Sequence, residues 1–244
     1  MPGKGSIGDA LFVAAAVVAL AGAVPEAAQE KRPPRIDVEQ YTIDAEVNPH
    51  TQSVAANVQV KFTAVDDQVT TANFELNNAL NLSRVVDDGG HQIPASRNQQ
   101  DFSVRLNFPN PIPKGKQGSL TFTYDGHLTG TEDSPVFGIK FAALHPDFGY
   151  LMYPARWFPV NDYTTDRFAA DVRITVPAGY RVIGSGLEQS DRVNGNKMVY
   201  KFQFTKPSFP GSIAIVRSDA VPAKVARPTR SPAQSRAQWP TASP

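Results

Sequence analysis

The stretch Tyr150–Pro177, YLMYPARWFPVNDYTTDRFAADVRITVP, decides the fold. Its first part packs aromatics, prolines, Arg156, Asp162 and Asp166 into an irregular passage with no period of 3.6 or 2. Its second part alternates: Phe168, Ala170, Val172, Ile174 and Val176 fall on one side and polar or small residues on the other. That two-residue period is the mark of a half-buried strand.

The same period recurs on both sides of the stretch. Upstream, Tyr41–Val47 alternates, Asn48-Pro49-His50 turns, and Val54–Phe62 resumes with Val58, Val60 and Phe62 on one face. Phe74 and Leu76 mark a third strand and Leu82–Val86 a fourth, closed by the turn Asp87-Asp88-Gly89-Gly90. Phe102, Val104, Leu106 and Phe108 alternate until Pro109–Lys116, which is expected to break the ladder. Ser119–Leu128 follows. Downstream, Tyr180–Ser185, Gln189–Val193, Met198–Phe204 and Ser212–Val216 read as strands, with Asn194-Gly195 as a hairpin turn. No window carries a helical apolar stripe. The expected fold is all-β: an antiparallel twisted sheet or β-sandwich.

Composition agrees. With 21 Pro and 17 Gly among 244 residues, the chain suits many short strands joined by turns. A hydrophobic share of 41% is enough for a core, and zero Cys rules out disulfides and thiolate chemistry. A net charge of +1 gives no field to attract nucleic acid, so no nucleic-acid partner is expected.

The two ends differ from the middle. Leu11–Val24 is an uncharged apolar run, shorter than the roughly 20 residues a membrane span needs. With small residues at Ala21-Gly22-Ala23 and Ala27-Ala28, it reads as an export signal over 1–28, or as an anchor where it is not cleaved. The expected organisation is this segment, a linker over 29–35, a β domain over 36–217 and a disordered Pro/Ala/Arg-rich tail over 218–244. The expected location is outside the cytoplasm, periplasmic or extracellular, with membrane contact only through an uncleaved leader.

Catalytic signals are sparse. His50, His91, His127 and His145 are scattered, with no His-Glu-x-x-His helix, no G-x-S-x-G elbow and no phosphate loop. The remaining candidates are Tyr153, Arg156, Trp157, Phe158 and Asp162, read as a packed corner for domain docking or substrate proximity. Asp162 and Asp166 are candidates to cap turns or to pair with Arg156 or Arg167.

At these residues the chain resembles the amino-terminal, saddle-like β domain of the aminopeptidase N family of zinc metallopeptidases. That domain carries A-R-x-x-F-P-x-x-D and then a Phe-led strand ending in V-P; here Ala155-Arg156-Trp157-Phe158-Pro159-Val160-Asn161-Asp162 is followed by Phe168 through Val176-Pro177. Leu120–Leu128 resembles its strand ending in Y-x-G-x-L, and Tyr200–Val216 its last strands. The chain has one residue fewer between Arg156 and Phe158, and Tyr163 stands where Glu often follows the Asp. Near Leu151 and Met152 the family has a Gln or Glu that helps hold the substrate's amino terminus, and neither side chain here accepts a hydrogen bond from an ammonium.

The resemblance implies a non-catalytic domain that in an intact parent caps the active site and helps bind a peptide amino terminus. The implied partners are a metallopeptidase catalytic domain or a peptide. Zinc belongs to the intact family, and no cofactor is expected in this chain. With the change of text after Arg217, the chain reads as a truncated gene product without peptidase activity of its own. A stand-alone exported β module that binds peptide or protein partners is the alternative.

Overall fold

The computed structural model describes residues 34–132, 136–162, 166–208 and 211–218, without the side chains of 190–194. The export signal, most of the linker, the tail beyond Ser218, and Tyr163 lie outside the described residues. In chain order the strands are β1 (Ile36–Asn48), β2 (Ser53–Ala64), β3 (Val69–Glu75), β4 (Leu80–Asp87), β5 (Ala95–Asn98), β6 (Ser103–Ile112) and β7 (Gln117–His127). There follow β8 (Ala142–Leu144), β9 (Phe148–Leu151), β10 (Phe168–Pro177), β11 (Tyr180–Gly184), β12 (Leu187–Asn194), β13 (Lys197–Ser208) and β14 (Ile213–Arg217). A 3-10 turn spans Pro154–Arg156. The all-β expectation holds.

Three sheets form. The large one runs β12-β13-β10-β1-β2-β7-β4, the second β11-β14-β9-β8 and the third β3-β6-β5. Their inward faces share one hydrophobic cluster that includes Tyr41, Phe74, Phe122, Trp157, Phe158 and Phe202. The Phe74 and Phe122 rings meet edge to face at 4.8 Å, which seats the three-stranded sheet on the large one.

Two features refine the antiparallel expectation. β1 pairs with β2 antiparallel but with β10 parallel, so the large sheet is mixed. β1 also slips its register between Val38 and Gln40. The bulge lets Val38 and Tyr41 both point inward although two residues separate them, and the strand alternates on either side of it. The Val38 N–H donates to an Asp166 carboxylate oxygen at 3.3 Å, so the bulge is tied to the segment that leads into β10.

Two local expectations are corrected. Pro109 does not end its strand: β6 continues to Ile112, and Ile112 pairs with Val69 past a register shift. The prolines are tolerated because the pairing there is irregular. The β12–β13 turn is Gly195-Asn196 rather than Asn194-Gly195, because Asn194 is still paired with Lys197. Gly195 takes the positive φ of 60° that the first loop position demands.

Candidate functional site

The irregular passage folds as a corner pressed into the core. β9 ends at Leu151, Pro154 opens the 3-10 turn, and Glu75 and Val160 then exchange backbone hydrogen bonds at 2.7 and 3.0 Å. Trp157 and Phe158 are fully buried, and their rings meet edge to face at 4.7 Å. Phe158 also packs on Tyr41 at 5.4 Å. The Trp157 indole N–H donates to the Gly211 carbonyl at 2.9 Å, and the Tyr124 hydroxyl donates to the Trp157 carbonyl at 2.6 Å. The corner thereby links β7 to the segment that enters β14. Burial pushes the Tyr124 hydroxyl well above the usual phenol range, so it stays a donor. Gly211 sits at φ 128°, and a Cβ there would stand 3.0 Å from the Phe158 ring. Only glycine fits this backbone against these rings.

Arg156 is the charged member of the corner, and it too is buried. It pairs with Glu75, while its guanidinium lies 4.3 Å from the Phe102 ring centroid and 5.7 Å from that of Tyr153. Its carbonyl accepts the Asn77 side-chain amide at 3.2 Å, and the Asn77 N–H donates to the Ala155 carbonyl at 2.9 Å. Nε and Nη1 are buried without a hydrogen-bond partner. The aromatic faces offset part of that cost through the ring quadrupole. Desolvation lowers the Arg156 pKa, and the Glu75 charge opposes that change. Desolvation likewise raises the Glu75 carboxyl, against the pull of Arg156. Phe102, which reads as a strand residue from sequence, is instead in the left-handed region at φ 60° in the loop before β6. Such a conformation costs about 1 kcal/mol or more outside glycine. It is held where its ring covers Arg156.

The candidate residues therefore separate. Arg156, Trp157 and Phe158 turn into the protein, Tyr153 is half-buried and Asp162 is exposed. The carboxylate on Arg156 comes from Glu75, 81 residues away in sequence. Asp166 serves the β1 bulge, and burial pushes its carboxyl up to about 6 from 3.8, the Asp37 and Asp162 charges adding to the shift. Leu151 is fully buried in β9, and Met152 beside it is about half exposed. Sequence reasoning missed Glu75, Asn77 and Gly211. The Asn77-Asn78 doublet after a strand was a turn signal that pointed to Asn77, whose Oδ1 accepts the Ala79 N–H at 3.1 Å.

Among its described residues the corner holds no nucleophile beside a base. Among the described residues no three His, Cys, Asp or Glu side chains gather as a metal-binding group, so the residues described do not fit a zinc ligand set. Its chemistry is shape: a rigid turn locked by one ion pair, two indole and phenol hydrogen bonds and stacked rings.

Outside the corner, the four-stranded sheet carries apolar side chains on its outer face. Phe148 and Tyr150 lie on one side of β9, opposite Val216 and Ala214 of β14, and Ile183 of β11 pairs with Ala214. Phe148, Ile183 and the adjoining Met152 are each about half exposed.

No protein-family model matches the sequence, and no significantly similar sequence is found among curated proteins. The structure does match solved ones. It superposes on the crystal structure of an M1 zinc metallopeptidase from Deinococcus radiodurans with a TM-score of 0.63 at 21% identity, over 75% of this chain and 42% of that chain. A mutant of the Deinococcus radiodurans enzyme bound to a Tyr-Ser-Ala substrate gives 0.62 at 21% identity, over 73% and 42%. A two-domain M1 zinc metallopeptidase mutant bound to L-arginine gives 0.63 at 21% identity, over 74% and 43%. The chain spans less than half the length of these proteins. In fold, it is like an amino-terminal domain of the M1 zinc metallopeptidases.

Proposed function

We propose that this chain is the non-catalytic amino-terminal domain of an exported aminopeptidase-like protein, and that it docks on a zinc peptidase catalytic domain and caps its active site. The observation that carries this reading is the apolar outer face of the small sheet, Phe148, Tyr150, Ile183 and Met152, beside a corner stiff enough to hold its shape. A half-exposed apolar face is what a domain interface leaves when the partner is removed. Zinc and the activated water belong to the catalytic domain in this reading. The β domain contributes shape and part of the wall around a peptide amino terminus. Leu151 and Met152 stand where the family places a carboxylate or amide; Leu151 is buried, so the exposed Met152 is the apolar side chain left to meet the substrate by packing rather than by an ammonium contact.

The test has two parts. DNA following the coding segment is translated in all three frames; a His-Glu-x-x-His sequence supports the reading, and its absence sinks it. The purified chain is then assayed on aminoacyl amides with and without added zinc. No hydrolysis above background is expected, and zinc-dependent turnover would overturn the non-catalytic assignment.

A further inference from the structure

The small sheets do not cover the large one completely. Where β2, β7 and β4 face β6, the layers part into a cleft of about 490 Å³. None of the corner residues lines it. Its floor is aromatic: Phe62 of β2 and Phe108 of β6 stack with centroids 6.2 Å apart and planes 24° from parallel. Ile93, Ile112 and Leu120 complete the apolar wall. Gly118 shapes this floor, because a Cβ there would stand 3.0 Å from the Phe62 ring. A side chain at that position would push the ring out of place.

The rim is charged and unequal. On one side is the turn after β4, with Asp87, Asp88 and His91. One Asp87 oxygen accepts the His91 N–H at 2.8 Å, and the other lies 3.2 Å from the His91 Nδ1. The His91 N–H holds the Asp87 carboxyl below its usual range, so the group is a carboxylate at neutral pH. Asp88 is exposed beside it. Apart from His91, which is paired with Asp87, Lys116 is the basic side chain among the lining residues. With Asp87 held by His91, the exposed Asp88 beside it is the carboxylate that favours a positive group on this side of the cleft, opposite Lys116.

We propose that this cleft binds a compact ligand with an aromatic or branched apolar body and an ammonium group, the body on Phe108 and Ile112 over the buried Phe62 and the ammonium beside Asp88. A preformed apolar cavity of this size with a few polar groups at one edge is the usual form of a small-ligand site. An aromatic amino-terminal residue of a peptide belongs to this class. The proposal stands whether or not the chain docks on a catalytic domain.

The experiment titrates the full chain with 2-phenylethylamine, 2-phenylethanol and 3-phenylpropanoate at low salt, followed by NMR. Saturable shifts are expected for the amine, with about fivefold tighter binding than the alcohol, the size of one partly exposed charge contact, and weaker binding still for the acid. Asp88→Asn should bring amine and alcohol within about twofold. Phe108→Ala should weaken all three. Asp88 is exposed, so Asp88→Asn keeps the test sound should Phe108→Ala not fold. Equal affinity for amine and alcohol, preference for the acid, or no saturable binding would overturn the proposal.

Discussion

Arg156 shows how one side chain sets a corner. A guanidinium this deep is stable only with its charge partnered, and Glu75 is that partner. Arg156→Ala would leave the Glu75 carboxylate, three-quarters buried in the parent, without its partner. Its unfolding free energy in urea is expected to fall by about 3 kcal/mol. A loss under about 1 kcal/mol would mean the pair contributes no more than a surface contact. Asp166 gives a pH signature. Its carboxyl is raised to about 6, so the folded chain binds this proton more tightly than the unfolded chain. The stability tied to it is present below about pH 4 and lost as pH rises through about 6. Asp166→Asn can still accept the Val38 N–H. Between pH 4 and 7 the variant should gain on the parent by on the order of 2 kcal/mol. A constant difference across that range would show Asp166 to be ionised normally. At this scale the sequence was half legible. Arg156 and Trp157 announced a buried anchor, but Glu75 carries no local signal, because an ion pair between distant segments leaves no spacing to read.

Strands were legible where one face is wet and the other dry. β1, β2, β7 and β10 alternate for most of their length, and their period could be counted. β5, β8 and β9 were not read. β5 is mostly exposed and β8 wholly buried, so neither alternates, and each of the three has only three or four residues. The motif glycine in Leu120–Leu128 has a physical cause. A Cβ on Gly126 would stand 2.1 Å from the Ala79 carbonyl oxygen, where β4 begins against β7. Backbone cannot retreat as a flexible side chain can. Gly126→Ala is therefore expected to cost about 2–3 kcal/mol by overpacking, read as a lower urea midpoint with an unchanged slope. An unchanged midpoint would mean that the start of β4 shifts without penalty.

On the scale of the whole molecule, the outer face of the small sheet makes a prediction of its own. Phe148 and Ile183 are each about half exposed on neighbouring strands of one four-stranded sheet. The isolated chain should self-associate as concentration rises, by sedimentation velocity, and Phe148→Ser with Ile183→Ser should shift it toward monomer. A parent that is monomeric at every concentration would argue against an interface there. The parallel pairing of β1 with β10 bears on how the chain is made. Gln40 lies beside Ala169, so the strand at the middle of the large sheet has one neighbour within reach early and the other only after some 130 further residues have left the ribosome. Until then a β1–β2 hairpin would keep an open edge, which favours delayed folding and a long window for chaperones to hold the chain extended. Synthesis, rather than the finished fold, is where this topology leaves the chain most vulnerable to pairing with the wrong strand.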